Sequence, residues 1–278
     1  MKSEFSSGRP DTMSRGSSGA AVYVVGGANG RTKATRAGER MFIYDPMFLL
    51  MLSPALLLAF FAQWRVSQSY AEMSQVPAGI SGAQAARQLL DSSGLQDVQV
   101  EQVPGRLTDH YDPRTKVLRL SSEVYRGTSM AAVGIAAHEA GHAIQDADHY
   151  TPMLIRNLAV PVANVGSNIG SWLMLGGLML MGSANNALAS NLFLAGIVGF
   201  AGTVFFQLVN LPVEFDASNR AKRQLVEQGI VDSRQLRSVS KVLNAAALTY
   251  VAATLQAILT LGYYVLMFLR SRDRASNR

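Results

Sequence analysis

The pattern of apolar positions divides this chain before any single residue is considered. Four runs, Met47–Ala62, Leu158–Met181, Ala187–Leu208 and Ala245–Leu269, carry almost no charge. Each is near the ~20 residues that a helix needs to cross a bilayer core, and Phe42, Ile43 and Tyr44 extend the first and shortest upstream. Backbone polar groups in hydrocarbon must be satisfied within their own segment, so all four are expected as transmembrane helices. The short polar link at 182–186 makes the second and third an antiparallel hairpin. Its Gly166, Gly170, Gly176, Gly196, Gly199 and Gly202 allow two membrane helices to pack closely.

The remaining segments follow other periods. Ser81 and Gln84 form a capping box ahead of a helix with the apolar face Ala85, Ala86, Leu89 and Leu90, and Gly94 stops it. Val98, Val100 and Val103 alternate with polar residues, Asp109–Arg114 reads as a turn, and Lys116–Ser121 alternates again, so two strands are expected. The stretch Met130–Gln145, rich in Ala, Val, Ile and Gly, reads as a helix. After the hairpin, Asn210 is placed to cap, Pro212 suits a first turn and Gly229 closes, which predicts a separate helix near 212–228. Residues 1–40, rich in Gly, Ser, Thr and Arg without apolar periodicity, read as a disordered tail with the native start expected at Met41.

The resulting scheme is a mainly α membrane protein with four transmembrane helices and a small α+β domain. A tail at 1–40 precedes transmembrane helix 1 (41–64) and an extramembrane domain (65–157). The hairpin (158–209), a second extramembrane segment (210–244), transmembrane helix 4 (245–269) and a basic tail (270–278) follow.

Composition narrows the chemistry. The 278 residues include no cysteine, so disulfides and thiolate metal ligands are excluded. The net charge of +6 lacks the interleaving of basic and aromatic residues that nucleic acid would require, so the expected partners are the lipid bilayer, a protein or peptide substrate, and other membrane proteins or further copies of the chain. An even number of crossings puts both tails on one side and both extramembrane segments on the other. Counted with residues 1–40, the Lys and Arg on the two sides tie; counted from Met41, the excess lies with the extramembrane segments, and a cytoplasmic site in a multi-pass cell-membrane protein is the expectation.

Within the predicted helix stands His138-Glu139-Ala140-Gly141-His142, an HExxH motif. Positions i and i+4 share a helical face, so both imidazoles can converge on one ion, which zinc accepts readily. Glu139, about 100° around the helix, can reach a metal-activated water without ligating the metal, as a general base must. Ala136, Ala137, Ala140, Gly141 and Ala143 suit a buried helix rather than a solvated one carrying two surface histidines. A catalytic zinc needs a third protein ligand. His110 and His149 are the other histidines, and among carboxylates Glu214 stands out because two membrane crossings return it to the side that holds His138. Its simpler reading is a first-turn glutamate that favours the helix dipole. Donors for a developing oxyanion are His110, Tyr111, Arg220 and Arg223, which sequence does not rank. Because zinc peptidases commonly hold substrate on an edge strand near the metal, Val117, Leu118, Arg119, Leu120 and Ser121 form the candidate substrate strand, beside the plainer reading of an ordinary sheet strand.

HEAGHAIQ, together with LTDHYDP, KVLRLS, MFIYDPM and VEFDASNRA, resembles the YugP-like neutral zinc metallopeptidases of bacterial membranes over residues 41–270. These are similar in turn to the HtpX-type and CAAX prenyl proteases. The resemblance implies a zinc metalloendopeptidase of the gluzincin type: Zn2+ held by His138, His142 and Glu214, with Glu139 as general base. Relatives keep an aspartate one turn beyond the glutamate ligand to orient a zinc-bound histidine. This chain has Ser218 there, so Ser218 or Asp216 would take that role. Two other readings remain: a non-catalytic zinc-binding membrane scaffold, and a site-2-type intramembrane protease, which would need HExxH inside a full span.

Overall fold

The computed structural model describes residues 45–181 and 186–276. The tail expected at 1–40, residues 42–44 and most of the hairpin link lie outside the described residues.

Helix α1 (Pro46–Ser74) starts where the Asp45 carboxylate accepts the Met47 N–H at 2.9 Å and Pro46 occupies the first turn. The small domain follows: α2 (Gly82–Ser92), β1 (Gln99–Val103), β2 (His110–Asp112), β3 (Val117–Ser121), α3 (Ser122–Arg126) and α4 (Met130–Ala147). Three long helices complete the chain, α5 (Thr151–Leu180), α6 (Asn186–Glu227) and α7 (Ser233–Ser276). The protein is mainly helical, and α1, α5, α6 and α7 are each long and apolar enough to cross a membrane. Helix α4, which carries HExxH, is not among these spans.

The capping box at α2 forms as expected, with Ser81 and Gln84 exchanging hydrogen bonds. Longer helices than expected replace the breaks read after the hairpin. Asn210 and Pro212 cap nothing, because α6 runs through both. Proline removes one helical N–H bond, but Val213, Ala217, Ala221 and Leu225 beyond it are all buried, and that apolar face keeps the helix going. Gly229, at φ +64°, then ends it, with the Ile230 N–H donating to the Leu225 carbonyl at 3.0 Å. Helix α7 begins at Ser233 rather than Ala245, because the Asp232 carboxylate accepts the N–H groups of Arg234 and Gln235 at 2.8 and 2.7 Å.

The sheet corrects the expected substrate strand. Strand order is β1-β3-β2, with β1 parallel and β2 antiparallel to β3. Val117–Ser121 is therefore the central strand, paired along its length with β1 and over Val117–Arg119 with β2, rather than the edge strand expected. The segment expected as a turn, Asp109–Arg114, holds the edge strand β2 instead. The turn comes after it, where Asp112 accepts from the Arg114 N–H (3.0 Å), the Thr115 hydroxyl (2.8 Å) and Arg119 (3.2 Å). Periodicity missed β2 because three residues are too few to show alternation.

One core joins the domain to the long helices. Leu89 and Leu90 of α2, Leu118 and Leu120 of β3, Met130 and Val133 of α4, and Val213 and Leu225 of α6 are fully buried in it. In the hairpin, α5 and α6 meet at glycine: a Cβ added to Gly166 would stand 2.5 Å from the Gly199 carbonyl oxygen. Helices α1 and α7 run antiparallel, tied near one end by the Tyr263 hydroxyl donating to Asp45 at 2.6 Å and near the other by Lys241 on Glu72 at 2.7 Å.

Candidate metal centre

Two helices build the site. Helix α4 starts with the Ser129 hydroxyl accepting the Ala132 N–H at 3.3 Å, and its Ala and Gly residues let it lie buried between the sheet and α6. At Gly141 the approach is closest: a Cβ there would meet the Ala217 carbonyl oxygen at 2.5 Å. Only a glycine brings the two backbones this near, which puts His138 and His142 opposite Glu214.

Glu214 Oε2 lies 3.2 Å from His138 Nε2 and 3.7 Å from His142 Nε2. The two imidazole rings stand edge to face, their centroids 4.7 Å apart. These three residues offer ligand atoms all within 4.8 Å of one another. A tetrahedral zinc with bonds of about 2.1 Å would separate its ligand atoms by roughly 3.4 Å, so the trio fits such an ion in spacing as well as in donor type.

Each histidine is held from behind. The His138 Nδ1 is 3.1 Å from the Ser218 hydroxyl and the His142 Nδ1 is 2.9 Å from Gln145 Oε1. Gln145 is fully buried and donates from Nε2 to the Val213 carbonyl at 2.8 Å and to Asp216 at 2.9 Å. Since Gln145 Oε1 accepts only, the His142 Nδ1 is the donor to it, and the ring presents Nε2 to Glu214. Asp216 in turn accepts from Arg220 Nε at 2.6 Å, and Arg220 also pairs with Asp148 just past the end of α4. Ser218 and Asp216 thus both reach the histidines, Ser218 directly and Asp216 through Gln145.

Glu139 lies beside the trio without joining it. Its carboxylate accepts the Tyr111 backbone N–H at 3.1 Å, from the side of β2 that faces away from β3. Burial pushes its carboxyl up from the ordinary 4.5 to about 7, against the opposing influence of His138.

The expected oxyanion donors separate. Arg220 is committed to Asp216 and Asp148, and Arg223 lines an open cavity of about 320 Å³ with Ser93, Leu95 and Asp148. The Tyr111 hydroxyl donates to Asp146 at 2.9 Å. Exposed His110, its Nδ1 2.7 Å from the Thr108 carbonyl, is near enough to Glu139 to influence its charge. Sequence reasoning missed three neighbours of the site. Arg156 of α5 reaches to 3.8 Å from Glu214 Oε1, Tyr250 of α7 lies within electrostatic range of Glu214 and Glu139, and Gln145 backs His142. Gln145 carried a signal, three residues after His142 on the same helical face. Arg156 and Tyr250 carried none beyond a cation and an aromatic at the ends of apolar runs.

The family model described as "Putative neutral zinc metallopeptidase" matches residues 48–269. The chain is 46% identical over 229 residues to "Putative membrane protease YugP" of Bacillus subtilis (strain 168), an alignment that covers 82% of this chain and 99% of that protein. No solved structure matches.

Proposed function

The chain belongs to this neutral zinc metallopeptidase family, and from that premise we propose that it is a membrane endopeptidase in which His138, His142 and Glu214 hold zinc and Glu139 is the general base. A zinc ion held there supplies a Lewis acid that makes water acidic near neutral pH and polarises a peptide carbonyl. Glu139 takes the proton from the attacking water and passes it to the leaving amine. Burial raises its carboxyl above the ordinary carboxylate range, which favours a group that must both accept and release a proton. Gln145 accepts from the His142 Nδ1 and Ser218 holds the His138 Nδ1, so each ring is oriented with its Nε2 towards the ligand set. The observation that carries this reading is the placing of a buried carboxylate next to three converging ligands but outside their set.

The substrate strand moves from β3 to β2. Edge strand β2 pairs with β3 on one side only, and the Tyr111 N–H on its other side points at Glu139. An extended peptide adding along this edge would bring its scissile carbonyl to the base. His110, near Glu139, and Arg156 and Tyr250, near Glu214, are the donors this reading offers a developing oxyanion. Basic residues on the extramembrane side, among them Arg65, Arg156, Arg237 and Lys241, support a cytoplasmic site. Because the chain has no cysteine, labelling of R114C in intact cells tests this: protection from an impermeant maleimide added outside is expected, and labelling there would reverse the orientation.

The test of function is E139Q, with casein as the probe. Hydrolysis should fall by about 10²–10⁴-fold, the range that a general base contributes, while one zinc per chain is retained. Full hydrolysis by that variant would remove Glu139 from the role. Stoichiometric zinc with no turnover in the parent would favour a zinc-binding scaffold.

A further inference from the structure

Outside the metal centre, on the same side of the membrane, α1 and α7 enclose an open cavity of about 400 Å³. Phe61 and Arg65 of α1 line it with Leu236, Arg237, Lys241 and Leu248 of α7. Its level relative to the bilayer follows from both helices. The apolar run of α1 closes at Ala62, and Trp64, 55% exposed, stands two residues on, after Gln63; a half-exposed indole at the end of such a run marks the headgroup region. The apolar run of α7 opens at Ala245, one turn after Lys241. The cavity therefore straddles the boundary, with Phe61 and Leu248 on the hydrocarbon side and the cations on the water side.

The charges are unbalanced. Lys241 pairs with Glu72 at 2.7 Å, and Arg237 donates to the Ser233 carbonyl at 3.3 Å. Neither Arg65 nor Arg237 has a carboxylate within ion-pair distance among the described residues. Three cations and no carboxylate line the mouth of this apolar cleft; Glu72, paired with Lys241, and Asp232, within electrostatic range of Arg237, offset two of them and leave the mouth net positive. That polarity, positive above and apolar below, complements a lipid with a negative headgroup. A zwitterionic headgroup would bring its ammonium against the excess charge, and a free phosphate would leave Phe61 and Leu248 without a counterpart.

We propose that this cavity is a binding site for an anionic phospholipid, with the phosphate held by Arg65 and Arg237, whose forked guanidinium groups match phosphate oxygens, and with the first acyl methylenes on Phe61 and Leu248. Lys241 contributes a further positive charge from its pair with Glu72. The bound lipid bridges α1 and α7 at their metal-side ends and so holds together the two helices that flank the domain. This site is independent of the peptidase reading.

The full chain in neutral detergent, titrated with phosphatidylglycerol, phosphatidylcholine or glycerol 3-phosphate, tests the proposal through thermal unfolding and through lipid retained in native mass spectra. Phosphatidylglycerol should raise Tm and remain bound, and the other two should do neither. R65Q/R237Q should bind phosphatidylglycerol roughly thirtyfold less tightly, the factor that two basic residues contribute at an anionic lipid surface, and R237Q alone about fivefold less. R114Q, at the exposed turn after β2, should leave binding unchanged. Equal affinity in the parent, R237Q and R65Q/R237Q would overturn the site. Equal retention of phosphatidylcholine would overturn the selection by charge, and a glycerol 3-phosphate effect as large as that of the lipid would overturn the lipid as its source.

Discussion

Helix α6 makes two close contacts, with α5 inside the apolar layer and with α4 outside it, and the two use the same device for different ends. In the hairpin the backbones meet at Gly166 and Gly199; at the metal centre they meet at Gly141 and Ala217, with equally little room for a Cβ. Further along the same α5–α6 seam the packing is apolar, with Met174, Phe193 and Ile197 buried in it. Around the second, polar groups fix the register: His138 on Ser218, His142 on Gln145, and Gln145 on Val213 and Asp216. Close approach by itself stabilises a pair of helices. Close approach with directional hydrogen bonds also sets where three ligand atoms converge.

Four substitutions sharpen or break that contrast. The largest effect is expected at Gly141: G141L forces α4 off the Ala217 carbonyl, so zinc should be lost from the purified protein altogether, together with about 1–3 kcal/mol of overpacking strain. Its counterpart G199L should cost similar stability by thermal unfolding yet leave zinc stoichiometry intact; loss of zinc in both would erase the distinction between the contacts. Next comes Q145L, which keeps volume but removes the acceptor behind His142. Zinc affinity by chelator competition should fall about 10–100-fold, and an unchanged affinity would deny Gln145 any part in positioning. S218A should weaken zinc less, because the exchange removes a neutral hydroxyl whose net contribution is about 1 kcal/mol.

The smallest effect belongs to the edge strand. Hydrogen bonds from Thr115 first, then Arg114 and Arg119, hold the Asp112 carboxyl down at about 2 from an ordinary 3.8. A carboxyl with a lowered folded value contributes stability that is present above 3.8 and is lost as pH falls through about 2. D112N should therefore lower Tm slightly at neutral pH and match the parent in acid. A gap that persists undiminished at the lowest pH would show that the turn is held by something other than the charge.

Much of this was legible in the chain. Hydrophobic run length announced four spans, and the HExxH spacing announced a helix with two convergent imidazoles. Glu214 could be picked out because two crossings return the chain to its starting side. Element ends were less legible. Asn210, Pro212 and Gly229 all carry punctuation signals, but only Gly229 acts, because the apolar face from Val213 to Leu225 continues α6 through the first two. Strand Val117–Ser121 reads as a strand in either position, and nothing local tells an interior strand from an edge.

The sequence by itself determined the solvent of each segment and the donor types available to a metal, because hydropathy and side-chain chemistry are local properties. Tertiary structure alone decided that β2 rather than β3 is the edge strand beside Glu139, that Gln145 and Asp216 back His142, and that Arg65 and Arg237 line one cavity between α1 and α7. Each of these depends on which helices and strands are neighbours, and that is set by the packing of the whole chain.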